Sequence, residues 1–221
     1  MIRGALTTLT CSALYGFALG SAHSELYATR NLVKFPLLIV ITGVVCALAY
    51  WIVARAFAPM LSFQAVQRAT GRLFHDMSVL LASLSPAVAF LAWTSRATDD
   101  GMLGSYDSFL AFNVAIVAVA GSLALLRQTR ALFTQYGLAP APAKLLVGLW
   151  LVLSLGVGGQ AAFVMRPFFG FPATRGNTPP FFVGAEPDLR GATNFYEAVW
   201  QTIRRPRLPS WLDAGAREQK K

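Results

Sequence analysis

Uninterrupted apolar runs separated by short charged intervals set the plan of this chain. Residues 35–56 (FPLLIVITGVVCALAYWIVARA) hold no charge before Arg55. Residues 108–126 (SFLAFNVAIVAVAGSLALL) lie between Asp107 and Arg127, and residues 145–165 (LLVGLWLVLSLGVGGQAAFVM) between Lys144 and Arg166. At 1.5 Å per residue each run crosses or nearly crosses a hydrocarbon layer about 30 Å thick, so each predicts a transmembrane helix. Residues 77–94 (MSVLLASLSPAVAFLAWT) form a fourth, shorter run that contains Pro86. A membrane helix tolerates proline where neighbouring groups take up the carbonyl it frees. Ser83 and Ser85 stand beside it for that task, and the run predicts a kinked span.

The N-terminal run, residues 5–22, is uncharged and just long enough to be a fifth span. Within and after it, Ser12, Gly16, Gly20 and Ser24 recur at every fourth position. In lipid an apolar side chain gains little by moving from lipid to protein, so close backbone approach over small residues is a main source of helix association. The alternative is a secretory signal, given Arg3, the apolar centre and the small residues near Ala22. The repetition of the four-residue spacing favours a packing face. A second row, Ser154, Gly158 and Ala162, marks the last run, and Ala111, Ala115 and Ala118 a weaker one. Packing within one bundle accounts for such rows; a sharper reading turns the first or last row toward a second protein. The expected fold is all-α: a polytopic bundle of about five transmembrane helices, four if 5–22 does not cross, over residues 1–165.

Two stretches outside the runs carry patterns of their own. After Ser62, a suitable N-cap, Phe63, Val66, Thr70, Leu73 and Phe74 fall on one helical face, and Gln64, Gln67, Arg68 and Arg72 on the other. This predicts an interfacial helix with Arg68 and Arg72 turned to anionic headgroups. Residues 166–221 form a Pro-, Phe- and Gly-rich extramembrane tail. Phe168, Phe169, Phe171, Phe181 and Phe182 are too many aromatics for a free linker, so the tail is expected to lie over one mouth of the bundle. Within it Asn194 can cap a short amphipathic helix whose stripe is Phe195, Val199, Trp200 and Ile203, stopped by Pro206. Phe168, Phe169, Phe181, Phe182 and Trp200, with Arg68 and Arg72, are the expected contacts to partners or lipid.

Composition supports the membrane reading: 55% of the 221 residues are hydrophobic and 13% charged, against roughly 25% charged in soluble domains. The formal charge of +9 is spread over span ends and not gathered on one soluble face, so it is no nucleic-acid signature. Arg3, Arg55, Arg68, Arg72, Arg127, Arg130 and Lys144 fall on one side of the predicted topology. Arg30, Lys34 and Arg96 share the other with Glu25, Asp99, Asp100 and Asp107. Basic residues near span ends face the cytoplasm, which places the N-terminus inside and the tail on the opposite side.

Candidate chemistry is sparse. Cys11 and Cys46 lack the companions a metal site needs. His75-Asp76 resembles half of a catalytic pair, but its only nearby nucleophile, Ser78, has no nucleophile elbow, and no catalytic residue is expected. Neither phosphate loop nor dinucleotide fingerprint occurs, and no cofactor is expected. Asn113 and Gln160 are the deep polar side chains, while Lys34, Arg55, Asp107 and Lys144 stand at run ends.

Several short motifs, Lys34-Phe35-Pro36-Leu37-Leu38, Leu61-Ser62-Phe63-Gln64-Ala65, Ser83-Leu84-Ser85-Pro86, Arg166-Pro167-Phe168 and Asn194-Phe195-Tyr196-Glu197-Ala198-Val199, resemble an uncharacterised family of bacterial integral membrane proteins whose plan is similar to that of Yip1-like proteins. The resemblance implies a cytoplasmic N-terminus, about five spans, residence in the bacterial inner membrane and no known enzymology. The acidic DLYGP signature of eukaryotic Yip1 members has no counterpart, so their trafficking role is not implied. The expected function is that of a non-enzymatic accessory or organising subunit among membrane lipids and other membrane protein subunits. A small-solute permease or channel component, with a hydrated path past Asn113 and Gln160, is the alternative.

Overall fold

The computed structural model describes residues 2–22, 24–97, 103–168, 180–184 and 191–204. Those residues form six helices and no strand: α1 (Ile2–Gly20), α2 (Glu25–Phe57), α3 (Phe63–Ala97), α4 (Leu103–Gln135), α5 (Pro140–Met165) and α6 (Phe195–Arg204). Helices α2 to α5 each contain a stretch long and apolar enough to cross a membrane, the pattern of a multi-pass membrane protein. At 19 residues and with several hydroxyls, α1 is not among them. It nonetheless packs lengthwise on α2 and α3, so the structure has four candidate spans and a fifth helix running with them.

Consecutive helices run antiparallel. Gly16 lies against Asn31 and Gly20 against Tyr27; Gln128 bonds Asp76; Phe133 meets Trp150; and Trp150 and Ser154 meet Tyr50. One end of the bundle therefore gathers the α1–α2 turn, the start of α4 and the end of α5. The other gathers the start of α1, the α2–α3 turn and the α4–α5 turn, and with them Arg3, Arg55, Arg68, Arg72, Arg127, Arg130 and Lys144. We call this second end the basic end.

The helices outrun the hydrophobic stretches that announce them. Helix α2 begins ten residues before Phe35 and carries Pro36 inside it. The expected interfacial helix after Ser62 is not a separate element. It is the first part of α3, continuous with the span at 77–94 through Pro86, because no glycine or proline interrupts the helical pattern between Phe74 and Val79. At 1.5 Å per residue α3 is about 50 Å long, which leaves its first turns beyond a hydrocarbon layer of about 30 Å. Ser83 and Ser85 donate to the carbonyls of Leu80 and Leu81, not to that of Ala82, four residues before Pro86.

The α1–α2 seam is the tightest contact in the bundle. A Cβ on Gly16 would press on the Asn31 carbonyl and come within 2.7 Å of the Phe35 Cβ; one on Gly20 would lie 2.5 Å from the Tyr27 carbonyl oxygen. Ser12 in the same row is fully buried and bonds the Leu9 carbonyl. Ser24 does not continue the row. Helix α1 ends at Gly20, and Ser24, across the turn, caps α2 by accepting from the Tyr27 N–H. The second row faces α2 as well: Ser154 bonds Tyr50, and Gly158 stands opposite the Thr42 methyl, 3.6 Å from where a Cβ would be. Ala162, one turn on, is half-buried. Both rows are thus used within the chain.

Gly16→Ala is expected to destabilise the bundle by about 1–3 kcal/mol, the usual cost of overpacking. Gly71→Ala, at an exposed α3 site with open space around it, should be neutral or stabilising by up to about 1 kcal/mol. Thermal denaturation of both variants in detergent measures the difference.

Candidate functional site: a roofed lysine

Two polar pairs deep in the bundle join side chains across helices. The Tyr15 hydroxyl of α1 donates to Asn113 Oδ1 of α4 at 3.0 Å, and the Asn113 amide donates to the Phe109 carbonyl at 2.8 Å. Tyr50 stacks on Trp150 at 4.8 Å between ring centres, its hydroxyl is hydrogen-bonded to that of Ser154, and the Trp150 indole N–H reaches the Tyr50 carbonyl at 3.2 Å. Each pair joins two helices through groups that lipid could not satisfy, so each adds specificity to the packing.

The densest arrangement lies on α2 at the end opposite the basic end. Asn31 and Lys34, one turn apart, are 0% and 1% exposed. The Asn31 amide donates to the Phe168 carbonyl, and Lys34 Nζ donates to the Pro167 carbonyl at 2.9 Å. Three rings surround the ammonium, with centres 5.9 Å (Phe168), 4.9 Å (Phe181) and 5.4 Å (Phe182) from Nζ. A desolvated cation–π contact is worth up to about 2 kcal/mol. Arg30 adds a second cation over Phe181 at 5.9 Å, and Phe168 stands edge-on to Phe35 at 6.2 Å.

This roof is built by the chain just after α5. The Val183 N–H donates to the Arg166 carbonyl and the Gly184 N–H to the Val164 carbonyl, at 2.9 and 3.0 Å. These bonds take up acceptors that the end of a helix leaves open. Gly184 has φ of +75°, a conformation glycine adopts without strain. The tail is therefore folded onto the bundle where it is described. Phe169 and Phe171 lie outside the described residues.

Sequence reasoning placed Lys34 at a run end and assigned it no site. The structure keeps it at the edge of the apolar run yet buries it, because α2 starts earlier and the roof covers that edge. An asparagine one turn before the lysine, together with a phenylalanine-rich tail, was the available signal. Asn31 Oδ1 has no hydrogen-bond partner among the described residues.

The remaining candidates do not converge. His75 Nδ1 lies 3.1 Å from the Thr8 hydroxyl of α1, whereas Asp76 Oδ2 accepts from Gln128 of α4 at 2.6 Å and faces Arg127 at 3.6 Å. Ser78 is fully buried, and its hydroxyl has no partner among the described residues. No cluster of three metal-ligating side chains occurs among the described residues. Asn113 is buried in its pair with Tyr15, while Gln160 is exposed on α5. Arg68 and Arg72 are exposed on α3. Trp200, 54% exposed, has Arg204 over its ring at 4.5 Å.

Helix α6 begins with reciprocal capping: Asn194 Oδ1 accepts from the Glu197 N–H, and the Glu197 carboxylate accepts from the Thr193 N–H and hydroxyl. Its Phe195 ring fills the space left by Gly159, where a Cβ would lie 2.6 Å from the ring. The Thr193 backbone bond, then the Thr193 hydroxyl, holds the Glu197 carboxyl below the usual glutamate range. No protein-family model, curated protein or solved structure matches the chain.

Two outcomes are expected. Lys34→Met leaves the Pro167 carbonyl without its donor, and unsatisfied groups of this kind cost about 1–3 kcal/mol; the Val183 and Gly184 amides should exchange faster with deuterium while Tyr15 and Asn113 amides are unchanged. A carboxyl whose pKa is lowered by folding stabilises above its unfolded value, near 4.3, and the gain is lost as pH falls through the lower folded value. The Thr193 amide resonance should therefore titrate below the ordinary glutamate range, and Glu197→Gln should abolish that titration.

Proposed function

We propose that the protein is a non-enzymatic accessory or organising subunit of a larger assembly in the bacterial cytoplasmic membrane, with its basic end in the cytoplasm and its roofed end on the opposite side. Helix α5 carries this reading. Only 11% of its apolar window is buried, against 33% for α2, and its contacts with the rest of the bundle run chiefly along α2. Its outer positions include Val152, 68% exposed, and Gly148 and Gly156, where a Cβ would meet open space. Exposed Gln160 continues that row one turn further. A carboxamide facing hydrocarbon is costly unless a neighbouring helix bonds it, and glycines two turns apart suit the close approach of such a helix.

Asn113 is taken up by Tyr15 inside the bundle while Gln160 is exposed on the outer face of α5, which favours this reading over a permease with a hydrated path past both. The orientation rests on seven basic residues at one end. The bacterial and Yip1-like assignment rests on the sequence motifs alone. Two of those motifs, around Lys34 and Arg166-Pro167-Phe168, touch one another in the roof.

Native mass spectrometry of the protein from membranes in mild detergent tests the proposal. A co-purifying membrane subunit is expected with the wild-type chain, and Gly156→Leu is expected to lose it while keeping the wild-type melting temperature. A wild-type monomer without companions contradicts the proposal.

A further inference from the structure

At the basic end α3 and α4 run on past their apolar stretches, and a groove of about 130 Å³ lies between them. Arg68 and Arg72 line it from α3 and Gln135 from α4, with low walls at Ala65, Ala69 and Ala131. Arg68, Arg72, Ala131 and Gln135 are exposed. The lining extends over about two turns of each helix, so the groove is longer than a single bound ion needs.

Charges on the facing helices match at one level and not at the next. Gln128 donates to Asp76 Oδ2 at 2.6 Å, and Arg127 stands 3.6 Å from the same oxygen. Counting outward from that pair along the antiparallel helices, Arg72 falls level with Leu132 and Arg68 with Tyr136. Neither arginine therefore meets a carboxylate across the groove. Arg68 spends its Nε–H on the Gln64 carbonyl at 3.2 Å, which carries its guanidinium away from the span and leaves the terminal nitrogens for another acceptor. Asp76 is the one acidic residue that the sequence holds at this end. The others belong in sequence to the opposite end or to the segment after α5, which leaves from that opposite end. That segment would have to recross the hydrocarbon to bring a carboxylate here, so a counter-charge must come from another molecule.

Depth and shape select that molecule. At 1.5 Å per residue Arg72 lies about 8 Å beyond Met77, where the apolar run of α3 begins, and Arg68 about 14 Å. Gln135 lies about 14 Å beyond Leu126, where the run of α4 ends. Headgroups extend about 5–8 Å beyond the hydrocarbon, so Arg68 and the outer half of the groove stand in water, past the lipid phosphates. Residues one turn apart on a helix have Cβ atoms about 5–6 Å apart, which offers two guanidiniums in succession along the groove. Each binds a carboxylate through paired, directional hydrogen bonds, and alanine walls let a polypeptide backbone come close.

We propose that this groove docks an acidic segment of a partner protein on the aqueous side, one that presents two carboxylates about one helical turn apart to Arg68 and Arg72. The proposal goes beyond the subunit reading and uses none of the α5 face, so each can fail without the other. The full-length protein in nanodiscs of zwitterionic lipid is titrated with a fluorescently labelled peptide carrying two glutamates four residues apart, and with counterparts carrying glutamine or lysine at those positions; anisotropy reads binding. The glutamate peptide is expected to bind, the glutamine peptide to fail, and binding to weaken as salt is raised. Arg68→Ala/Arg72→Ala should weaken it about fivefold or more, the loss of two exposed ion pairs. Arg68→Glu/Arg72→Glu should transfer binding to the lysine peptide, a gain that a misfolded groove would not give. Arg130→Ala, outside the groove lining, should leave binding unchanged. No binding of the glutamate peptide by the wild type, or equal binding by the charge-reversed variant, would overturn the docking surface. Full displacement by inorganic phosphate at the concentration of the peptide would overturn the protein partner in favour of a small oxyanion.

Discussion

Hydrocarbon around a helix removes most of the reward for turning an apolar side chain inward and raises the cost of leaving a polar one outside. That single constraint orders this structure. Val44, Ile52, Phe90, Trp93 and Val152 are left largely exposed, which in water would be an aggregation surface and in lipid is solvation. Cohesion comes instead from backbone proximity along Ser12, Gly16 and Gly20, and from polar groups that close on each other, Tyr15 with Asn113 and Tyr50 with Ser154 and the Trp150 indole.

Lys34 shows the same constraint at the edge of the membrane. Its methylene stem continues the apolar run while its ammonium needs an acceptor and counter-density that lipid does not supply. The chain after α5 provides both, a carbonyl from Pro167 and the faces of three phenylalanines. The roof is in turn anchored on the open carbonyls of Val164 and Arg166. A tail that reads as irregular is thereby tied to the first turns of α2, 133 residues away in sequence. Among the described residues nothing roofs the basic end, and its arginines are exposed.

The sequence announced the membrane helices well because their apolar runs are bounded by charges, and hydropathy reports where hydrocarbon ends. It reported helix ends poorly for the same reason: α2 and α3 continue as helices into the headgroup layer, where Glu25 to Lys34 and Phe63 to Asp76 mix polar and apolar residues. The glycine row was legible as a spacing, but its terminus was not, since a serine at the fourth position serves equally as a row member or as the N-cap that Ser24 is. Lys34 was legible as a boundary residue. Its burial was not, because burial there depends on chain that returns from beyond α5. The Tyr15–Asn113 and Tyr50–Ser154 pairs join residues about a hundred positions apart, and only the antiparallel order of the helices brings them to one depth.

The central claim is that hydrocarbon solvates the outward faces while polar contacts and close backbones hold the inside. Spin labels at Val44, Ile52 and Val152 in a Cys11→Ala/Cys46→Ala background, reconstituted in bilayers, test it through collision with oxygen and with a water-soluble nickel chelate. High oxygen and low nickel accessibility at all three positions is the predicted result. Nickel accessibility equal to that of a label on exposed Arg127 would contradict the account.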